Sequence, residues 1–202
     1  MAKIAVDIVL LPSEVMVDKA ITANKELLKQ CAHKIVLDKE NCLPHISLVM
    51  GCIDEGNIDE IDEILKTITK ETTLGPLSAV CIHTESNRAG EKVSVLQIEK
   101  TEALQSLHEE VMKKLAVYLS YDVKAEMVFS SSQINESTLD WIKNYPENSS
   151  FGKYSPHITI GYGEINNFSF PIQFDVLKLA LCRLGNHCTC RKILASSNLQ
   201  NG

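Results

Sequence analysis

The chain has 202 residues, 45% hydrophobic and 23% charged, which is long enough for one well-covered core and too short for several ordinary domains. Its net charge of -6 and pI near 5.5 exclude the broad basic surface that sequence-blind binding of long duplex nucleic acid requires. No apolar run approaches the ~20 residues of a membrane span, and seven cysteines, an odd number without a repeating framework, read as reduced thiols in a cytoplasmic protein.

Residues 3–11, KIAVDIVLL, read as a first strand that stops at Pro12. Asp7 interrupts this apolar stretch and no small-residue cleavage site follows, so it does not read as a secretory leader. From Asp18, a candidate N-cap, to Cys31 the composition is helical, with Ile21, Leu27, Leu28 and Cys31 on one face. HKIVLDKENC predicts a short strand and a turn, and CLPHISLVMG a longer strand. DEGNIDEIDEILKTITKE carries Ile58, Ile61, Ile64, Leu65 and Ile68 at helical spacing, with carboxylates in the first turns where the helix dipole favours them. It lacks the ligand spacing of a calcium loop.

PLSAVCIHTE and KVSVLQIE flank SNRAG and predict a hairpin. Thr101 opens the clearest helix, TEALQSLHEEVMKKLAVYL, striped by Leu104, Leu107, Val111, Leu115 and Tyr118. Residues 123–155 are polar and loop-like, with at most a short strand and a short helix near Thr138–Lys143. YSPHITIGYG predicts another strand, and PIQFDVLKLALCRLGNHCTCRKILAS two more around Leu184-Gly185-Asn186. Residues 196–202 read as frayed. Strands, helices and hairpins are mixed in both halves, which predicts an α+β class in a single domain, residues 1–202. Cys31, Cys52, Cys81 and Cys182 lie in apolar stretches, where a thiol packs as a small hydrophobe.

One pattern is written twice. Pro44-His45-Ile46-Ser47-Leu48 and Pro156-His157-Ile158-Thr159-Ile160 share the order proline, histidine, aliphatic, hydroxyl, aliphatic, and a glycine follows each, Gly51 and Gly161. Side chains alternate along a strand, so His45 and Ser47 face one way and Ile46 and Leu48 the other, and likewise in the second copy. The aliphatic side suits a core, and the other presents an imidazole and a hydroxyl roughly 7 Å apart. Brought together in one cleft, two imidazoles can divide the work of base and acid, because histidine titrates near neutrality. In-line displacement at phosphorus needs such a pair on opposite sides, and hydroxyls can donate to the non-bridging oxygens. No metal or cofactor is required by that scheme.

These two tetrads, each in a predicted strand and 112 positions apart, resemble the paired H-x-[ST]-aliphatic signatures of the 2H phosphoesterase superfamily, which includes the 2′-5′ RNA ligase and cyclic phosphodiesterase group. The resemblance implies a bilobal α+β fold, with two antiparallel sheets and flanking helices around a central cleft, its lobes pseudo-symmetric. It implies that His45 and His157 do the acid–base work while Ser47 and Thr159 hold phosphate. The implied activity is metal-independent hydrolysis of 2′,3′-cyclic phosphates or 2′-5′ phosphodiesters in small nucleotides or RNA ends. The alternatives are 2′-5′ RNA ligation by the same residues and a nucleotide-binding module without turnover. Which histidine is the base stays open, since the motifs are nearly symmetric; a monomer is compatible with the sequence.

Around the motifs, Lys153 could meet a phosphate, and Tyr154 or, more weakly, Phe151 could stack on a base. Arg183 and Arg191 could give bidentate phosphate contacts. His83 lies in a hairpin strand, His108 beside a helix stripe as a boundary residue, and His33 at a helix end. His187, Cys188 and Cys190 in NHCTC are metal-ligand types, but no second pair completes a tetrad, and a turn accounts for the neighbouring Gly185 and Asn186.

Overall fold

A computed structural model of the chain describes residues 2–30, 35–86, 90–166 and 168–201. Cys31, His33 and the 87–89 part of the hairpin turn lie outside the described residues. Two four-stranded antiparallel sheets organise the molecule. The first has the order β2 (Ile46–Asp54), β1 (Lys3–Pro12), β8 (Val176–Gly185), β9 (Thr189–Asn198). The second has the order β6 (His157–Tyr162), β5 (Lys92–Ile98), β4 (Leu77–Ser86), β7 (Ile172–Phe174). Each sheet therefore carries one histidine motif, and each motif strand lies at an edge.

The helices are α1 (Glu14–Leu28), α2 (Ile58–Glu71), α3 (Glu102–Leu115), α4 (Glu136–Lys143) and the single turn α5 (Tyr145–Asn148). The isoleucine stripe of α2 does what its spacing predicts: Ile61, Leu65 and Ile68 are buried, and the helix packs on β8 and β9. Thr101 caps α3, its hydroxyl accepting from the Leu104 amide at 3.2 Å. Leu104, Leu107, Val111 and Leu115 are buried as expected, whereas Tyr118 lies beyond the helix. The other two large helices cross between sheets. α1 leaves the first sheet yet packs on β6 of the second, and α3 leaves the second sheet yet packs on β2 of the first.

Several elements differ from expectation. α1 begins at Glu14, four residues ahead of Asp18, because Ser13 already stands in the extended conformation of an N-cap directly after the strand. No strand forms in 35–42; instead Asp38 Oδ1 accepts from the amides of Glu40 and Cys42, a side-chain turn that holds the approach to the first motif. Residues 196–198 complete β9 and Gln200–Asn201 form β10, parallel to β3 (Thr73–Leu74), so 196–201 are held in strands: Leu199 is buried and its amide donates to the Leu177 carbonyl. Cys81 is exposed, not packed, where the β4–β5 register slips between Ala79 and Cys81. Where one strand is expected ahead of Leu184 two form, β7 and β8, divided at Asp175.

Candidate active site

Both motif strands slip register at the same motif position. On β2, Ser47 pairs with Val9 and Val49 with Ile8, so Leu48 is stepped over; on β6, Thr159 pairs with Val95 and Gly161 with Ser94, so Ile160 is stepped over. A one-residue bulge bends a strand and redirects its side chains. The freed carbonyls are taken by buried side chains. Leu48 O accepts from His108 Nδ1 and from the Tyr145 hydroxyl, each at 2.7 Å. Ile160 O accepts from Asn24 Nδ2 at 2.8 Å. The helices that supply His108 and Asn24 are α3 and α1, the two that cross between sheets. Gly161 completes the second bulge at φ +132°, where an added Cβ would approach Asn24 Nδ2 to 2.9 Å.

The two catalytic candidates are anchored alike. His45 Nδ1 donates to the Leu43 carbonyl at 2.7 Å, and His157 Nδ1 donates to the Ser155 carbonyl at 2.9 Å. A carbonyl only accepts, so each Nδ1 carries a proton and each Nε2 is left for chemistry. β2 and β6 approach one another, and His157 feels the charge of His45.

Beyond that the two differ. Nε2 of His45 lies 3.5 Å from Oδ2 of Asp7, a carboxylate that is wholly buried in the centre of β1. Burial works against a charge on His45, yet the contact with Asp7 prevails and raises the imidazole to about 9. Burial also pushes the Asp7 carboxyl up, while His45, Ser47 and His157 pull it down. The contact with Asp7 favours the proton on His45; Oδ2 of Asp7 also accepts from Ser47 Oγ at 2.6 Å, while its Oδ1 is buried with no hydrogen-bond partner among the described residues. His157 is shifted the opposite way, below the usual imidazole range, by burial and then by the charge of His45. The contact with Asp7 thus favours the charged form of one imidazole, and burial the neutral form of the other. The hydroxyls differ too. The single proton of Ser47 is given to Asp7, whereas Thr159 has no hydrogen-bond partner among the described residues.

The other candidates scatter. Tyr154 is 4% exposed, and its ring is stacked flat on His108 at 4.1 Å, so no open face remains for a base. Phe151 is half-exposed, edge-on to His108. Lys153 reaches the Glu147 carbonyl at 2.6 Å. Arg183 pairs across β1 with Val6, which puts its side chain on the face opposite Asp7; there it lies over Phe129 and 4.0 Å from Glu55. It is therefore not brought to the two histidines. Arg191 lines a cavity of about 340 Å³ with Phe129, Ser130, Ser132 and His187. His83 is exposed and pairs with Glu85. His108 is fully buried, not at a boundary: besides donating to Leu48 O, its Nε2 accepts from the Phe151 amide at 2.7 Å.

Among the described residues no group of three or more His, Cys, Asp or Glu side chains is arranged to hold a metal ion. His187 and Cys188 take positive φ in the β8–β9 turn, and His187 Nδ1 meets the Tyr162 hydroxyl at 3.1 Å. Asp7 was missed as a site residue. Its signal was present, a lone carboxylate in the middle of an apolar strand, where burial costs heavily unless the charge is paired.

The architecture, two four-stranded antiparallel sheets with flanking helices, is that of the LigT-like fold. E. coli LigT complexed with phosphate superposes with a TM-score of 0.52 at 10% identity, over 99% of this chain and 99% of that one. TT0787 of Thermus thermophilus gives 0.57 at 11% identity over 98% and 99%, and a protein described as a phosphoesterase gives 0.50 at 11% over 97% and 98%. No protein-family model and no curated protein matches the chain. Among the described residues no helix is long and apolar enough to cross a membrane.

Proposed function

We propose that the chain is a 2H-type phosphoesterase that opens 2′,3′-cyclic phosphates or cleaves 2′-5′ phosphodiesters of small nucleotides or RNA ends without a metal. The observation that carries this reading is the common anchoring of His45 and His157, each with Nδ1 fixed on a backbone carbonyl so that Nε2 is the nitrogen left for proton transfer. The fold shared with LigT, a protein seen with phosphate bound, adds support.

The opposite shifts of the two imidazoles favour one division of the roles that sequence left open. Neutral His157 takes the proton of the attacking water at Nε2, and the water oxygen bonds to phosphorus. The bond to the ribose oxygen breaks, and charged His45 gives its Nε2 proton to that oxygen. Thr159 donates to a non-bridging oxygen as charge builds there. Arg191 is the proposed cation for the remainder of the substrate, since it lines an open cavity.

The test is one panel: 2′,3′-cyclic mononucleotides, 2′-5′ oligoadenylate, and RNA with a cyclic end beside a 5′-hydroxyl partner, each with and without EDTA. Ring opening or 2′-5′ cleavage that EDTA leaves intact is the expected result. Joined RNA would make the chain a ligase running the same proton transfers in reverse. Affinity without turnover would make it a nucleotide-binding module, and sensitivity to EDTA would overturn the metal-free scheme.

A further inference from the structure

Asp7 is the buried carboxylate that two-histidine chemistry does not call for. It is 0% exposed, and burying a charge is costly unless it is paired. On its face of the sheet it stands beside Cys182 of β8, with Val9, Ala180 and Cys190 in one small apolar cluster. The titratable groups that interact with it are His45 just ahead of β2, His157 from β6, Tyr145 from α5, Tyr154 ahead of β6, and Cys188 and Cys190 after β8. Of these only the histidines can bring a positive charge, and His45 is in contact.

The contact length matters. At 3.5 Å, Nε2 to Oδ2 is an ion-pair distance and too long for a good hydrogen bond. The His45 proton is held without being spent, and it stays available to a second acceptor. Ser47 stands in a different relation. Its hydroxyl is committed to the same Oδ2 at 2.6 Å, so it steadies the carboxylate and has no second proton to offer.

We propose that Asp7 is a positioning residue of the reaction, that it keeps the acid proton on His45, and that Ser47 serves Asp7 while Thr159 alone of the two motif hydroxyls donates to the substrate phosphate. The catalytic part of this rests on the phosphoesterase reading; the proton-holding part does not.

The experiment is a nitrogen-15 NMR titration of His45 in the full chain, beside pH–rate profiles on a 2′,3′-cyclic mononucleotide. In the unaltered protein both ring nitrogens of His45 carry protons at about pH 8, where an ordinary imidazole is neutral; a neutral His45 there overturns the proposal without any variant. In Asp7→Asn the His45 midpoint falls by at least about one pH unit, and the alkaline limb of the rate profile falls with it. Ser47→Ala moves that same limb with little change in KM, whereas Thr159→Ala raises KM or lowers kcat with the limb in place. Unmoved limbs in an active Asp7→Asn enzyme overturn the role given to Asp7. If wild type turns over no phosphoester but His45 is still protonated at about pH 8, the phosphoesterase reading falls and the proton-holding pair stands.

Discussion

Asn24 Nδ2 donates to the carbonyl of Ile160 across 136 positions of sequence, and this bond ties α1 to the bulge behind the second histidine motif. The same side chain donates to Ile35 O at 3.0 Å and accepts from the Leu37 amide at 2.9 Å. Asn24→Ala would strand three buried backbone groups, each worth about 1–3 kcal/mol. The expected loss is about 3 kcal/mol or more, read as a lower urea midpoint at unchanged m-value. A midpoint within error of wild type would show that the bulge needs no such support.

The division of roles between the histidines can be separated by leaving group. An ester of p-nitrophenol departs without a proton, so it needs the base and not the acid. His45→Ala should lose about 10²–10⁴-fold on a cyclic nucleotide and much less on a p-nitrophenyl phosphodiester. His157→Ala should lose comparably on both. For wild type, activity requires His157 neutral and His45 charged, so the rate plateau opens below the usual imidazole value and closes near 9. Equal rescue of both variants by the activated ester would overturn the assignment.

His108 predicts an acid sensitivity of the fold. It is buried neutral and its value is depressed by burial, since protonating Nε2 would break the bond it accepts from Phe151. The unfolded chain binds the proton more readily, so stability is kept above about 6.5 and lost as pH falls below it. His157 adds in the same direction. His45, raised, has the opposite sign: its contribution is full below about 6.5 and is lost as pH rises through about 9. His108→Gln should flatten the acid slope by up to about 1.4 kcal/mol per pH unit. Chemical denaturation at several pH values measures it, and an unchanged slope would count against the neutral buried state.

Tyr154 separates packing from recognition. Its hydroxyl is buried with no hydrogen-bond partner among the described residues, whereas its ring covers His108. Tyr154→Phe should therefore leave stability within about 0.5 kcal/mol or raise it, and Tyr154→Ala should cost about 3–5 kcal/mol. KM for nucleotides should not change in Tyr154→Phe. A selective rise in KM would return Tyr154 to the substrate.

The motif strands, the α2 and α3 stripes and the Thr101 cap were legible because each depends on local periodicity or a single capping hydroxyl. The α+β class followed from their order. Pairing was not local. Nothing in the residues themselves marks Leu48 and Ile160 as the positions stepped over, since a bulge is decided by the partner strand. Tyr154 looked available because an aromatic beside a histidine motif suits stacking; its partner, His108, lies 46 positions earlier on α3. Arg183 looked useful until register put it on the far face from Asp7. Asp7 itself was visible as an interruption, and only the fold supplied the histidine that explains it.

The crossing of α1 and α3 has a consequence for how the molecule assembles. Each half of the chain makes a sheet edge whose bulge is buttressed by a helix from the other half, so neither half can complete its own motif. Severed between β5 and α3, the fragments should not ripen one at a time; each would wait for the other before its imidazole is fixed. The chain should gain its chemistry in a single late step, with contacts distant in sequence setting the pace.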